Sequence, residues 1–340
     1  MRIAQVSTVD TRVGREHSGS IEQIVKLLDG ELTARGHEVT VFAVAGSQVS
    51  GRLVPTVAGT YGEDGAPDDW RLCEMINLCR ALEQSGDFDV IHSHAYLWGL
   101  PFERLSRAPL VHTLHIHPYD DSLRLRALWP DAYVTAISQF QWSETPELPP
   151  SVIIPHGIDA SQFTFRSEPE DYVCFLGRFI PDKGPLTAVR VARQLGLKLK
   201  LAGPRNEYFD EVVAPLVDGR GVEYVGPVTS ERRDALLGGA RALLYPIEAP
   251  EPFGLVQVEA MMCGTPVVAM RLGAVPEIVE EGVGGILVES TEEFLAAIPR
   301  AFGLDRQRIR SAAEERFSSA RMATEYLAFY EQLIAERAVT

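Results

Sequence analysis

Short runs of β-branched and aliphatic residues alternate with amphipathic stretches almost from end to end, and this restricts the fold more than any other feature. RIAQVST, EVTVFAV, DVIHSH, PLVHTLH, AYVTAIS and SVIIPHG come first; YVCFLGR, KLKLAGP, VEYVG, ALLYPI, PVVAM and GILVE follow. Apolar strands of this length joined by helical segments form right-handed βαβ units and parallel sheets, so the fold class is α/β. A break follows IIPHGID, where ASQFTFRSEPEDY is polar, carries a proline and lacks a clear period before strands resume at Tyr172. The 340 residues exceed the ~100–200 typical of one domain, so the break predicts two similar halves, 1–158 and 159–319. In the remaining segment, 320–340, Met322, Tyr326, Leu327, Tyr330 and Leu333 share one helical face that suits either half.

Composition excludes some functions. The formal net charge of −15 argues against a general nucleic-acid binder, which needs a basic surface to neutralise phosphates. MRIAQVSTV lacks the basic segment and long apolar run of a signal peptide, and no stretch approaches the ~18 apolar residues of a spanning helix, so a soluble, cytoplasmic chain is expected. Cys73, Cys79, Cys174 and Cys263 form no C-x-x-C pair and are read as buried free thiols.

Ligands of open parallel sheets bind at the carboxyl ends of strands, so the chemistry is sought there. YVCFLG runs into GRFIPDKGP, where Arg178 and Lys183 offer a planar fork and a point charge for a diphosphate ahead of a helix expected near Pro185. Taken alone, the two charges read as solvated loop residues sooner than as a clamp. In EAPEPFGLVQVEA, Glu251 and Glu259 bracket an apolar run, and Gly254 lies where a helix should start and its N–H groups attract an anion. If that segment is helical, it spans ~12 Å, comparable to the reach from sugar to ribose across a diphosphate. The alternative makes Glu251 a first-turn residue favoured by the helix dipole and Glu259 a solvated helix residue; spacing does not choose.

His92 and His94, with His112, His115 and His117, form H-x-H patterns able to hold zinc, but no local acid or thiol completes a site. No metal is expected, and His115 at a strand end suits a polar role. Gly19, just ahead of a helix, either lets the backbone approach a phosphate or forms an ordinary turn. The absence of G-x-G-x-x-G after the first strand and of G-x-x-x-x-G-K-[ST] weakens a nicotinamide dehydrogenase and a P-loop NTPase.

In order, RGHEVTVF, IHSH, VHTLH, IIPHGID, LGRFIPDKG, LAGP, VEYVGPV and EPFGLVQVEAMMCGTPVVA resemble the retaining glycosyltransferases of family four. The resemblance implies the GT-B fold: two Rossmann-like domains facing across a cleft, with a final helix crossing back to the first. It implies a nucleotide-diphosphate sugar, UDP- or GDP-linked, as co-substrate bound mainly by the second half, with the acceptor chiefly against the first and no obligatory metal or other cofactor. Arg178 and Lys183 match the residues that take up the leaving diphosphate's charge, Glu251 the glutamate near the donor sugar, and Glu259 the one that binds ribose. Phe253, Gly254 and Leu255 match the loop that meets sugar and phosphate, His115 the first-domain histidine near the sugar, and Gly203-Pro204 belongs with the donor-binding set. Where many members carry Gly-Gly, this chain has Gly19-Ser20, which puts the phosphate contact there in doubt.

The rivals are a sugar-nucleotide 2-epimerase, a glycan phosphorylase and a non-catalytic sugar-nucleotide binder. The Arg-Lys and two-Glu sets favour transfer. In IEQIVKLLDGELTARG, Glu22, Asp29 and Glu31 stand against Lys26 and Arg35, so stable membrane association is not expected and a soluble small-molecule or glycan acceptor is favoured.

Overall fold

The computed structural model describes residues 1–14, 19–63, 65–143 and 145–339. They form two compact units: Met1–Gly157 with Ser319–Thr340, and Ile158–Ser318.

The first unit contains β1 (Arg2–Val6), β2 (Glu38–Val44), β3 (Arg52–Val57), β4 (Val90–Ser93), β5 (Leu110–Thr113), β6 (Tyr133–Ala136) and β7 (Val152–Ile153) in one parallel sheet, ordered β3-β2-β1-β4-β5-β6-β7. Helices α1 (Ser20–Ala34), α2 (Trp70–Glu83) and α3 (Asp120–Leu128) lie in the connections. Ala4, Val6, Phe42, Ile91 and Leu110 form one buried cluster, and Leu114, Val134 and Trp142 belong to another. The strand pattern of the sequence omits β3, whose RLVPTV carries Pro55. A proline cannot donate to a ladder, and β3 occupies the sheet edge, where that loss is tolerated.

The face of α1 requires a correction. Glu22 and Asp29 are buried rather than facing solvent. Glu22 accepts from Thr8 Oγ1 at 2.8 Å and Thr11 N at 3.2 Å, while Asp29 accepts from the backbone N–H groups of Ser50 and Gly51 at 2.5 and 2.9 Å. Buried carboxylates persist where such donors replace water. They therefore drop out of the charge balance with which the sequence argued against lipid.

The second unit repeats the pattern with β8 (Val173–Leu176), β9 (Leu199–Ala202), β10 (Val222–Gly226), β11 (Leu243–Tyr245), β12 (Val267–Met270) and β13 (Gly285–Val288), parallel in the order β10-β9-β8-β11-β12-β13. Its helices are α4 (Pro185–Gln194), α5 (Ser230–Gly239), α6 (Leu255–Met262), α7 (Val275–Ile278), α8 (Thr291–Ala301) and α9 (Arg306–Phe317). Phe175, Phe179, Leu201 and Phe209 pack with Val189 and Ile298 in its core.

The last helix, α10 (Ser319–Val339), belongs to the first unit. Arg35 at the end of α1 donates to Ala320 O and Thr324 Oγ1 at 2.6 and 2.9 Å, and Ser319 Oγ donates to Glu31 at 2.6 Å. Met322, Tyr326, Tyr330 and Leu333 are buried as their spacing predicts, but Phe329 rather than Leu327 completes the buried face. Among the described residues, no helix is long and apolar enough to cross a membrane.

Candidate active site

In the second sheet the strand order reverses between β8 and β11, and such a switch point leaves a crevice beyond the strand ends. Both strands run into loops bearing sequence-predicted residues. After β8 the chain passes Arg178 and makes a short turn over Pro181–Lys183, and α4 starts with Pro185 at its first position, where a missing N–H has no penalty. After β11 it passes Glu248 and Glu251 to reach α6. The two loops are tied together by the Glu248 N–H, which donates to Asp182 O at 2.8 Å. That bond explains how residues 68 positions apart meet: Lys183 Nζ donates to Glu251 Oε1.

Glu251 has a second partner that sequence reasoning missed. Tyr245, the last residue of β11 and buried, donates its hydroxyl to Glu251 Oε2. Burial raises the phenol's pKa, so it stays a proton donor. The backbone of Glu251 is fixed as well, its carbonyl accepting from Ala274 N at 2.9 Å. Burial, reinforced by the nearby Arg178 guanidinium and opposed by Asp182, lowers the Lys183 ammonium to about 8. Arg178 itself is exposed. The structure thus brings Arg178, Lys183 and Glu251 together.

Glu251 precedes α6, which starts only at Leu255, so the first-turn reading of Glu251 and a continuous helix from Glu251 to Glu259 are both incorrect. Gly254 caps α6 in the left-handed region at φ 91°, a conformation that penalises any Cβ. Phe253 is buried against Phe317, while Leu255 is half-buried. Glu259 is not solvated: its side chain is 9% exposed and pairs with Arg233 Nη1 of α5 at 2.8 Å. Arg233, in SERRDALL, had no spacing signal to reveal it. Gly203 follows β9, and a Cβ there would run into the Gly177 carbonyl, so β8 and β9 end in close backbone contact. Pro204 beside it is exposed.

His115 lies in the first unit, two residues past β5 and 9% exposed. Both its ring nitrogens are engaged: Nε2 with His94 Nδ1 at 3.0 Å and Nδ1 with His156 Nε2 at 3.3 Å. Burial pushes its pKa down to about 3, leaving a neutral imidazole. His92 bridges Tyr330 and Thr113 at 2.6 Å each. The H-x-H pattern thus feeds a hydrogen-bonded histidine array, and among the described residues no group of three His, Cys, Asp or Glu is arranged to hold a metal ion. Gly19 has a local reason for its lack of side chain: a Cβ would fall on the Glu22 carboxylate, and its N–H donates to Thr11 Oγ1 at 2.6 Å. Glu74 of α2, unremarked in the sequence, holds the Val9 N–H at 2.9 Å with its carboxyl raised by burial to about 8.

Comparison with known proteins decides the family. The profile described as Glycosyl transferases group 1 matches residues 159–316, and that described as Glycosyltransferase Family 4 matches 21–162. The chain belongs to family four of the glycosyltransferases. This glycosyltransferase is 29% identical to a D-inositol 3-phosphate glycosyltransferase of Mycolicibacterium smegmatis, over 90% of this chain and 84% of that one. A protein of the same name from Corynebacterium efficiens is 26% identical over 98% and 95%. Among solved structures, AviGT4, a glycosyltransferase involved in avilamycin A biosynthesis, superposes with a TM-score of 0.75 at 27% identity, covering 98% of each chain. Anabaena HepE in complex with UDP and glucose superposes at 0.76 with 20% identity, over 98% of this chain and all of that one, which speaks to fold. The fold is GT-B.

Proposed function

We propose that this enzyme transfers a sugar from a nucleotide-diphosphate donor, UDP- or GDP-linked, to a hydroxyl of a soluble small molecule or glycan, with retention of anomeric configuration and no obligatory metal. The observation that carries the reading is the meeting of Lys183 with Glu251 beside Arg178 at the β8/β11 switch point. Two cations there suit a diphosphate, and a carboxylate beside them suits the hydroxyls of the sugar it carries. As the glycosidic bond breaks, negative charge grows on the departing diphosphate. Arg178, Lys183 and the N–H groups following Gly254 stabilise that charge more than they stabilise the intact donor. Attack comes from the leaving group's own face through a short-lived ion pair, the leaving phosphate taking the acceptor's proton. Neutral His115 contributes as a hydrogen-bonding group, and Glu259, with Arg233, as the ribose-binding pair.

The proposed donor contacts lie mainly in the second unit. A UDP-linked donor is supported by the UDP held in HepE. A soluble acceptor is supported by the inositol phosphate named for the curated relatives and by the biosynthetic context of AviGT4. Thermal shifts with UDP, GDP, ADP and dTDP and their sugars identify the donor, because a ligand of the folded state raises its melting temperature. With that donor, Lys183→Ala lowers turnover by about 100-fold or more, the scale of a lost oxyanion donor. Near-normal turnover would overturn the assignment.

A further inference from the structure

Tyr245 invites a role beyond packing. Its ring closes β11 and its hydroxyl sits where three groups converge: it donates to Glu251 Oε2, contacts the Gln257 amide, and lies against the position a Cβ on Gly254 would take. Glu251 therefore has two partners of different character. Tyr245 is a rigid, buried aromatic with little freedom to follow a ligand. Lys183 carries its charge on a flexible stem, close enough to the Arg178 guanidinium to feel its charge.

We infer that Tyr245 is a positioning residue that pins one oxygen of Glu251, while Lys183 covers the other until a donor diphosphate draws it away and frees that oxygen for a hydroxyl of the transferred sugar. The inference rests on the donor-site reading above. A diphosphate carries more charge than one carboxylate and so competes for Lys183. Glu251 then keeps its Tyr245 bond, which stops the carboxylate from turning, and Oε1 becomes an acceptor aimed by the protein. A single oriented acceptor discriminates between sugars differing in one hydroxyl, because the wrong epimer leaves the carboxylate oxygen unpaired. The nucleotide part of the donor never meets Tyr245 in this scheme, so the two halves of the ligand report separately.

The test compares Tyr245→Phe with wild type using UDP and UDP-glucose, or the GDP pair if thermal shifts select guanine. UDP affinity is expected to stay within about twofold, while UDP-glucose affinity and donor KM worsen about tenfold, the scale of one hydrogen bond to a charged group. Discrimination between UDP-glucose and UDP-galactose is expected to narrow. Glu251→Gln should give the same sugar-specific loss, and adding Tyr245→Phe to it should cost little more, since the tyrosine acts through the glutamate. Should Tyr245→Phe fail to fold, 3-fluorotyrosine at position 245 takes its place: the more acidic phenol strengthens the bond to Glu251, so UDP-glucose affinity is expected to change while UDP affinity does not, and an unchanged UDP-glucose affinity overturns the inference. The inference is overturned if UDP and UDP-glucose weaken together, if UDP-glucose affinity is unchanged, or if the two substitutions add. Failure of the donor-site reading looks different: wild-type protein would then be stabilised by none of these nucleotides.

Discussion

Lys183 carries the most chemistry of any single residue here, and its burial makes that chemistry depend on pH. With its ammonium lowered to about 8 from an ordinary value of 10.5, the folded protein gives up this proton before the unfolded chain does. Between those values the unfolded state binds more protons, so this group makes stability rise with pH across that window, because burial and the Arg178 charge set the direction of its shift. Function moves the other way. Above about pH 8 the free site loses its cation, whereas the terminal phosphate of a nucleoside diphosphate, with a pKa of about 6, is already ionised. Affinity for UDP or GDP is therefore expected to fall toward tenfold per pH unit above 8, with about one proton taken up on binding, measurable by calorimetry in buffers of different ionisation enthalpy. Lys183→Arg, which does not titrate in this range, should flatten the profile; an unchanged slope in that variant would assign the titration to another group. The residue types at this site were legible from Arg178, Lys183, Glu251 and Glu259. Their partners were not, because Tyr245 and Arg233 reach the glutamates through side-chain geometry that no spacing rule encodes.

At the level of elements, short continuous apolar runs located the strands well, since burial on both sheet faces leaves few polar interruptions. The missed strand, β3, has a proline and only one fully buried residue, so nothing in RLVPTV distinguishes an edge strand from a loop. The start of α6 was also readable, because Gly254 precedes an apolar helix, but its left-handed cap explains why Glu251 stands outside that helix. Gly254→Ala tests the cap. A Cβ there would meet Gln257 Nε2 and Tyr245 Oη in addition to the strain of φ 91°. The left-handed conformation costs about 1–2 kcal/mol for a non-glycine residue, which in a unit of this size lowers the melting temperature by about 2–8 °C. Gly282→Ala is the control: its φ is 75° but no atom lies within 4 Å of the added Cβ. Both variants should lose stability, whereas nucleotide-sugar affinity should fall only for Gly254→Ala. Equal affinity in the two would separate the α6 cap from donor binding.

Across the whole molecule, the chain leaves the first unit after Gly157 and re-enters it at Ser319, so α10 completes a unit that begins more than 300 residues earlier. The apolar stripe of this helix could be read from the sequence; its destination could not, because a stripe records what must be buried and not against which surface. Polar contacts supply that choice. Tyr330 and Tyr326 present hydroxyls to His92 at 2.6 Å and Thr113 at 3.0 Å, beneath the strand that leads to His115. Removing α10 takes away the buried side chains of Met322, Tyr326, Phe329, Tyr330 and Leu333 and uncovers the surface they pack on, each worth about 1.5–3 kcal/mol. Together these approach the ~5–15 kcal/mol that holds a domain folded. A chain ending at Ser318 should therefore lose hydrogen-exchange protection through β1, β4 and β5, while β8 to β13 stay protected and UDP or GDP still raises the melting temperature of the second unit. The milder Tyr330→Phe should keep the fold but leave the buried His92 Nδ1 without its partner, lowering stability by about 1–3 kcal/mol. Full protection of β4 and β5 without α10 would mean that the first unit folds on its own and that the returning helix is an addition to it rather than part of its core.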